Sequence, residues 1–389
     1  MARLDEIFDL QMGKTPSRNN ADYWIDGQYD WVSIADLGTY QKYVDETKEK
    51  ISALAVQESG IKSVPANTVI MSFKLSLGKT AITQEPIYTN EAIMAFIPTR
   101  KYEVLPDYFY HLFSAKDWTK GTNRAVMGTT LNKATLGSFS ITVPSLTEQR
   151  KIAAVLDKVS GLISKRRQQL DKLDELVKSR FIEIYGVIEN NPFGLPTKSM
   201  VEICQIIDGD RGTNYPKQED FSENGYCLFL NAKNVTSKGF SFDTCMYITQ
   251  EKDNQLRKGK LARGDVVLTT RGTIGNLAFY DDFVPYDHVR INSGMVILRM
   301  DRTQMLEKFF IEQFKMQLSS IKEKIASGSA QPQLPISTMN KIKLLLPPIE
   351  LQQQFVVSIE QTDKSKLAIQ KSLQKLETLK KALMQKYFG

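Results

Sequence analysis

At 389 residues with 42% hydrophobic side chains, the chain is long enough for two cored globular units plus long helices, and no apolar run nears the ~18 residues of a membrane span. Two histidines exclude a histidine-rich metal site, and three cysteines without CxxC spacing, Cys204, Cys227 and Cys245, read as reduced structural thiols of a cytoplasmic protein. The formal charge of +7 hints at a polyanionic partner, but residues 144–186 carry nine basic and six acidic side chains and residues 347–389 seven and four, which leaves the remainder nearly neutral.

The opening MARLDEIFDLQMGK lacks the apolar core of a signal peptide, so nothing in it argues for export. Leu4 to Leu10 reads as helix and leads into a polar loop at Gly13 to Trp24. Strand-like runs follow at Tyr29 to Ile34, Thr68 to Phe73, Ala92 to Ile97 and Phe139 to Val143, with a helical aromatic patch from Asp107 to Phe113. Pro144 ends the last strand, and residues 144–186 then carry apolar side chains at alternating spacings of three and four, the mark of a long helix with a narrow stripe. About 38 helical residues at a rise of 1.5 Å make a rod of roughly 57 Å. Residues 187–198, rich in Pro, Gly and Asn, form a linker.

The rest of the chain repeats the first part. Residues 347–389 align with 144–186 without a gap at an offset of 203, with eight identities that include Gln149 with Gln352 and Leu173 with Leu376. Upstream, the run beginning at Asn67 is echoed from Gly264, which superposes Gly78 on Gly275. A tandem duplication accounts for this, and a duplicated task is expected. Four segments result: globular units at 1–143 and 187–346, and helices at 144–186 and 347–389. A lone helix with so narrow a stripe needs a partner, and the other copy is the natural one. Leu156, Ile163, Leu170 and Leu173 would face Ile359, Ile369, Leu373 and Leu376, with Arg166, Thr362, Lys366 and Lys380 interrupting the stripe.

Self-contained catalysis finds little support. Gly13-Lys14-Thr15 and Gly78-Lys79-Thr80 end like phosphate-binding loops, but Phe8 and Phe73 stand where the motif needs its first glycine. Asn191-Pro192-Phe193 lacks the second proline of an adenine methyltransferase loop, and no FxGxG strand-loop for a methyl donor accompanies it. Three loops instead recur at equivalent places: Lys14 and Arg18 against Arg211 and Lys217; Lys74 and Lys79 against Arg271 and Asn276; Arg124 against Gln331 and Gln333. Arg, Lys, Asn and Gln are the side chains that pair with purine edges, so matched scaffolds with unlike loop residues suggest two readers of different DNA sequences.

The paired junctions ITVPSLTEQ (from Ile141) and LLLPPIELQ (from Leu344), the run Gly264-Asp265-Val266-Val267-Leu268 followed by Arg271-Gly272-Thr273-Ile274-Gly275, and Gly328-Ser329-Ala330-Gln331 carry a family likeness. Over essentially its full length the chain resembles the specificity subunit of a type I restriction-modification system. It departs at Asn67-Thr68 in place of Gly-Asp, at Leu77 before Gly78, and at Leu351, where a glutamate is expected. The resemblance implies an α+β protein with two similar mixed α/β target recognition domains, separated by two long helices that form an antiparallel coiled coil with a pseudo-twofold repeat. It further implies that each domain reads one half of a split target in double-stranded DNA, and that the helices set the spacer and dock two methyltransferase subunits. S-adenosylmethionine, ATP and Mg would belong to partner subunits, including a motor-nuclease, with no cofactor or metal on this chain. The competing reading is a two-domain coiled-coil scaffold that binds proteins and no DNA.

Overall fold

The computed structural model describes residues 1–74, 76–119, 123–125, 128–326 and 333–389, with only the backbone of 123–125, 128–130 and 326. The chain divides into two compact units, Met1–Arg167 with Gln370–Gly389, and Gln168–Ile369. Both boundaries fall inside the long helices rather than at their starts.

In the first unit the opening helix is a single turn, Leu4–Ile7, closed by the Glu6 carboxylate accepting from the Arg3 amide at 3.0 Å. The expected continuation to Leu10 is instead the strand Phe8–Met12, because burial switches to alternation: Phe8 and Leu10 inward, Asp9 outward. That strand pairs with Ile93–Pro98, which pairs with Val69–Ser72 and then Thr80–Ile82, all antiparallel. A second sheet sets Tyr29–Val32 between Glu49–Ile51 and, in parallel, Tyr88–Thr89. Helix Pro106–Ala115 begins with proline where no helical N–H is lost. It buries Phe109 and Phe113 against Phe8 and Phe96, with Phe8 and Phe109 edge to face at 5.0 Å.

The second unit repeats the plan. Cys204–Asp208, Met295–Met300, Val266–Thr269 and Leu277–Phe279 form the four-stranded sheet in the same order. Cys227–Leu230 lies between Tyr247–Ile248 and, in parallel, Val289–Ile291. The helix at the equivalent place is longer, Glu307–Ala326.

The long helices are Leu146–Tyr185 and Ile349–Phe388, 40 residues each. Within the first unit Ile152, Ala153 and Leu156 share a core with Leu383, Met384, Tyr387 and Phe388, while Arg167 pairs with Glu377 at 2.8 Å, so the two segments run antiparallel. Within the second, Phe181 packs on Phe355 at 5.4 Å and Asp174 meets Lys366 at 2.6 Å, again antiparallel. Of the expected seam residues Leu156, Ile163 and Ile359 are buried, and Leu170, Leu173, Ile369, Leu373 and Leu376 are half-buried. Arg166, Thr362, Lys366 and Lys380 are half-buried too and keep the three-four spacing, so they belong to the seam rather than interrupt it. Among the described residues no helix is long and apolar enough to cross a membrane.

Candidate nucleic-acid interface

Each unit holds a hairpin turn by one hydroxyl. In the first, Ser72 Oγ accepts from the Lys79 amide at 3.1 Å and donates to the Ser76 carbonyl. In the second, Thr269 Oγ1 accepts from the Asn276 amide at 3.0 Å and donates to the Thr273 carbonyl. Gly78 and Gly275 close these turns at φ 81° and 92°, where a side chain would be strained. The turns match in both units, with Lys74 in one and Arg271 in the other at the equivalent position.

The other loops gather at that turn. In the second unit the Thr270 amide donates to the Gly294 carbonyl at 2.8 Å and the Leu334 amide to the Thr270 carbonyl at 2.9 Å, which draws Gln333 into a bridge with Arg271. Arg211 donates to Asp208 at 3.1 Å and to the Ser293 carbonyl at 3.3 Å, so the first loop reaches the same place. In the first unit the Phe73 amide donates to the Ala92 carbonyl and the Leu131 amide to the Phe73 carbonyl, both at 3.0 Å, and the Lys14 amide donates to the Thr89 carbonyl at 2.8 Å. Asn90 and Asn292 shape the shared turn, each accepting from the amide two residues on, at 2.7 and 2.9 Å.

The candidate side chains fall into two groups. Arg271, Gln333 and Lys217 are exposed, and Lys74 is half-exposed with its ammonium 5.2 Å from the Phe73 ring. Lys79 is exposed as well, while Arg18, Lys14, Arg211 and Asn276 are already engaged. Arg18 pairs with Glu49 at 2.9 Å and stacks on Trp24 at 3.7 Å, and Lys14 donates to the Ser59 carbonyl. Asn276 gives its amide to the Val235 carbonyl at 2.9 Å, and Lys79 folds over Gly38, where an added Cβ would lie 2.6 Å from Nζ. Positions 79 and 276 therefore turn back onto a neighbouring loop in both units. The side chain of Arg124 and all of Gln331 lie outside the described residues, Arg124 contributing backbone to the strand Asn123–Ala125.

Cys204 and Cys227 are buried thiols pushed up to about 12 by desolvation, so neither is nucleophilic near neutral pH. Among the described residues no group of three or more His, Cys, Asp or Glu side chains is placed to hold a metal. Sequence reasoning passed over Ser72, Thr269, Asn90 and Asn292, whose signal is that Ser and Thr, and Asn and Asn, hold matching places in the two copies.

Residues 1–174 and 196–381 match the model of the type I restriction modification DNA specificity domain, one copy in each half. The specificity subunit of the type I restriction enzyme MjaIX of Methanocaldococcus jannaschii is 25% identical over 405 residues, covering 99% of this chain and 91% of that one. The S subunit of a type I restriction-modification system from M. genitalium matches over 100% of this chain and 95% of that one, at TM-score 0.56 and 16% identity. A chain solved in work on complex assembly and conformational transition of the type I restriction-modification system matches over 100% and 96%, at TM-score 0.59 and 16% identity. The fold is that of a protein carrying two copies of this domain. The chain belongs to the type I restriction modification DNA specificity family and is a specificity subunit of that kind.

Proposed function

We propose that each unit reads one half of a bipartite double-stranded DNA target through its three-loop edge, and that the paired helices set the unread spacer and dock two methyltransferase subunits. The chain performs no catalysis. S-adenosylmethionine, ATP and Mg are carried by partner subunits in the cytoplasm, and a motor-nuclease joins through the complex of one specificity chain with two methyltransferases. The observation that carries this reading is the repeated hydroxyl-held turn, alike in backbone and unlike in its outward side chain, Lys74 against Arg271. An arginine beside a glutamine, as Arg271 stands beside Gln333, suits guanine next to adenine in the major groove. Each 40-residue helix is about 60 Å long at 1.5 Å per residue, between one and two DNA turns of about 35 Å.

Methylation mapping in a host that expresses the whole system tests the assignment. Arg271→Ala is expected to relax or abolish recognition at one half-site and leave the other unchanged, with the effect of one bidentate contact at about 5- to 150-fold. An unaltered methylated motif would remove Arg271 from the reading edge.

A further inference from the structure

Between equivalent strands, the two units differ most in length at one loop. Between the equivalent strands the first unit has residues 83–87, whose exposed members are Gln84, Glu85 and Pro86, while the second has residues 280–288. The extra length presents Phe283, 92% exposed between Asp282 and the buried Val284.

This loop is held rigidly. The Arg263 guanidinium donates to the carbonyls of Asp281, Val284 and Tyr286 and to the Asp287 carboxylate, and stacks 4.3 Å over the Tyr280 ring. Tyr280 donates its hydroxyl to the Tyr286 carbonyl, and Asp281 accepts from the Phe283 amide at 3.1 Å. One side chain thus ties three backbone carbonyls, so the loop that carries the phenyl ring has little backbone freedom left to lose on docking, which favours an aromatic anchor. The loop also leaves the far end of the strand Leu277–Phe279 from the Arg271 turn, about 10 Å of strand away.

We propose that the loop at residues 281–287 is a protein-docking peg, with Phe283 as its anchor, that engages an apolar socket rimmed by Lys or Arg on a companion subunit of the restriction-modification complex. The inference rests on membership of such a complex. Charge selects the occupant: Asp281, Asp282 and Asp287 share the loop with the ring, and Arg263 is spent on Asp287 and three loop carbonyls, so the loop repels DNA phosphates and complements a basic rim. Because residues 83–87 offer no such ring, the peg lets a companion distinguish the second unit from the first despite the internal repeat.

The full chain is produced with its companion methyltransferase and nuclease subunits, and the affinity of each for Phe283→Ala, Phe283→Asp and Asp282→Lys chains is measured at two salt concentrations, beside sequence-dependent DNA binding. Phe283→Ala and Phe283→Asp are expected to weaken one companion at least tenfold, with the thermal midpoint of the isolated chain unmoved. Asp282→Lys should weaken the same companion more at low salt than at high. Unchanged affinity for every companion in all three variants overturns the peg. So does a tenfold loss of DNA affinity with assembly intact, which would make Phe283 a wedge between bases, or a chain dimer that Phe283→Ala dissolves, which would make it a self-contact. A wild-type chain that reads DNA by sequence yet captures no companion overturns the peg alone, whereas one that does neither overturns the functional reading as well.

Discussion

Gln149 and Gln352 make the same three hydrogen bonds. Gln149 accepts from the Leu105 amide at 2.8 Å and donates to the carbonyls of Glu103 and Pro144 at 2.8 and 2.9 Å. Gln352 accepts from the Leu306 amide at 3.0 Å and donates to the carbonyls of Gln304 and Pro347 at 2.8 and 2.9 Å. Both are fully buried. Each clamps the start of a helix, Pro106–Ala115 or Glu307–Ala326, to the junction where sheet becomes long helix. A carboxamide is required, since one acceptor and two donors are used at once.

Gln149→Leu or Gln352→Leu strands one amide and two carbonyls in a buried site, and is expected to cost about 2 to 4 kcal/mol. Gln→Glu should rescue little, because an ionised carboxylate donates to neither carbonyl. Urea unfolding of the full chain measures both, and a loss below about 1 kcal/mol would reduce the clamp to a bystander.

Much of this architecture was legible in the residues. The duplication, the long helices and the strand-proline-helix junctions follow from spacing and offset, because periodicity and proline act locally. The single-turn opening helix was not, since Phe8 to Met12 becomes a strand only through its partner Ile93–Pro98. That the candidate loops converge was legible from their matched places, but what each side chain does there was not. Arg271 and Asn276 share a loop, yet one is exposed and the other is spent on the Val235 carbonyl, a bond between positions 41 residues apart that no local pattern announces. Identity of Gln149 with Gln352 marked a constraint without stating it.

Asp174 and Glu377 occupy the same place in the two helix copies, and each holds a cation of the facing helix, Lys366 at 2.6 Å and Arg167 at 2.8 Å. A seam that repeats every seven residues could slip by seven. One such slip would set Glu377 against Asp174, and the other would set Lys366 against Arg167, so both directions oppose like charges. Asp174 is 70% exposed, so the pair itself contributes only about 0.5 kcal/mol, and its value lies in register. Lys366→Glu should lower stability slightly, and Asp174→Lys in the same chain should restore it. A double-mutant cycle with coupling near zero would take the pair out of register control.

Lys380 sits in the seam between Leu376 and Leu383, where burial pushes its ammonium below the usual lysine range, Arg167 adds to the shift and Asp157 opposes it. Its charged form is therefore destabilising in the fold, a cost present at neutral pH and relieved as pH rises through the lowered folded value. Lys380→Leu is expected to stabilise the first unit by about 1 kcal/mol, roughly 2 to 4 °C in melting temperature, with the gain shrinking toward pH 10. A calorimetric midpoint that falls at pH 7 would mean that the ammonium is better satisfied than its surroundings suggest.

Asp157 on the first long helix receives Lys42 Nζ at 2.6 Å and the buried His111 Nε2 at 2.8 Å, and Lys42 also reaches Asp107 at 2.6 Å. Burial pushes the Asp157 carboxyl up, but the bonds from His111 and Lys42 outweigh it and hold the group below the usual carboxylate range. A carboxyl lowered in the fold contributes stability that is complete above its unfolded value, about pH 4, and is lost as pH falls through the folded value. The second unit solves the same junction more simply, with Lys308 donating directly to Glu360 at 2.9 Å. Asp157→Asn should therefore destabilise at pH 7 by about 1 kcal/mol, allowing for a side chain 37% exposed, and should flatten the acid limb of the stability curve below pH 4. Lys308→Gln, by contrast, should leave the first unit's acid limb untouched. Urea midpoints measured from pH 2.5 to 7 decide it, and an acid limb equally steep in Asp157→Asn and the parent chain would assign the acid sensitivity to other carboxylates.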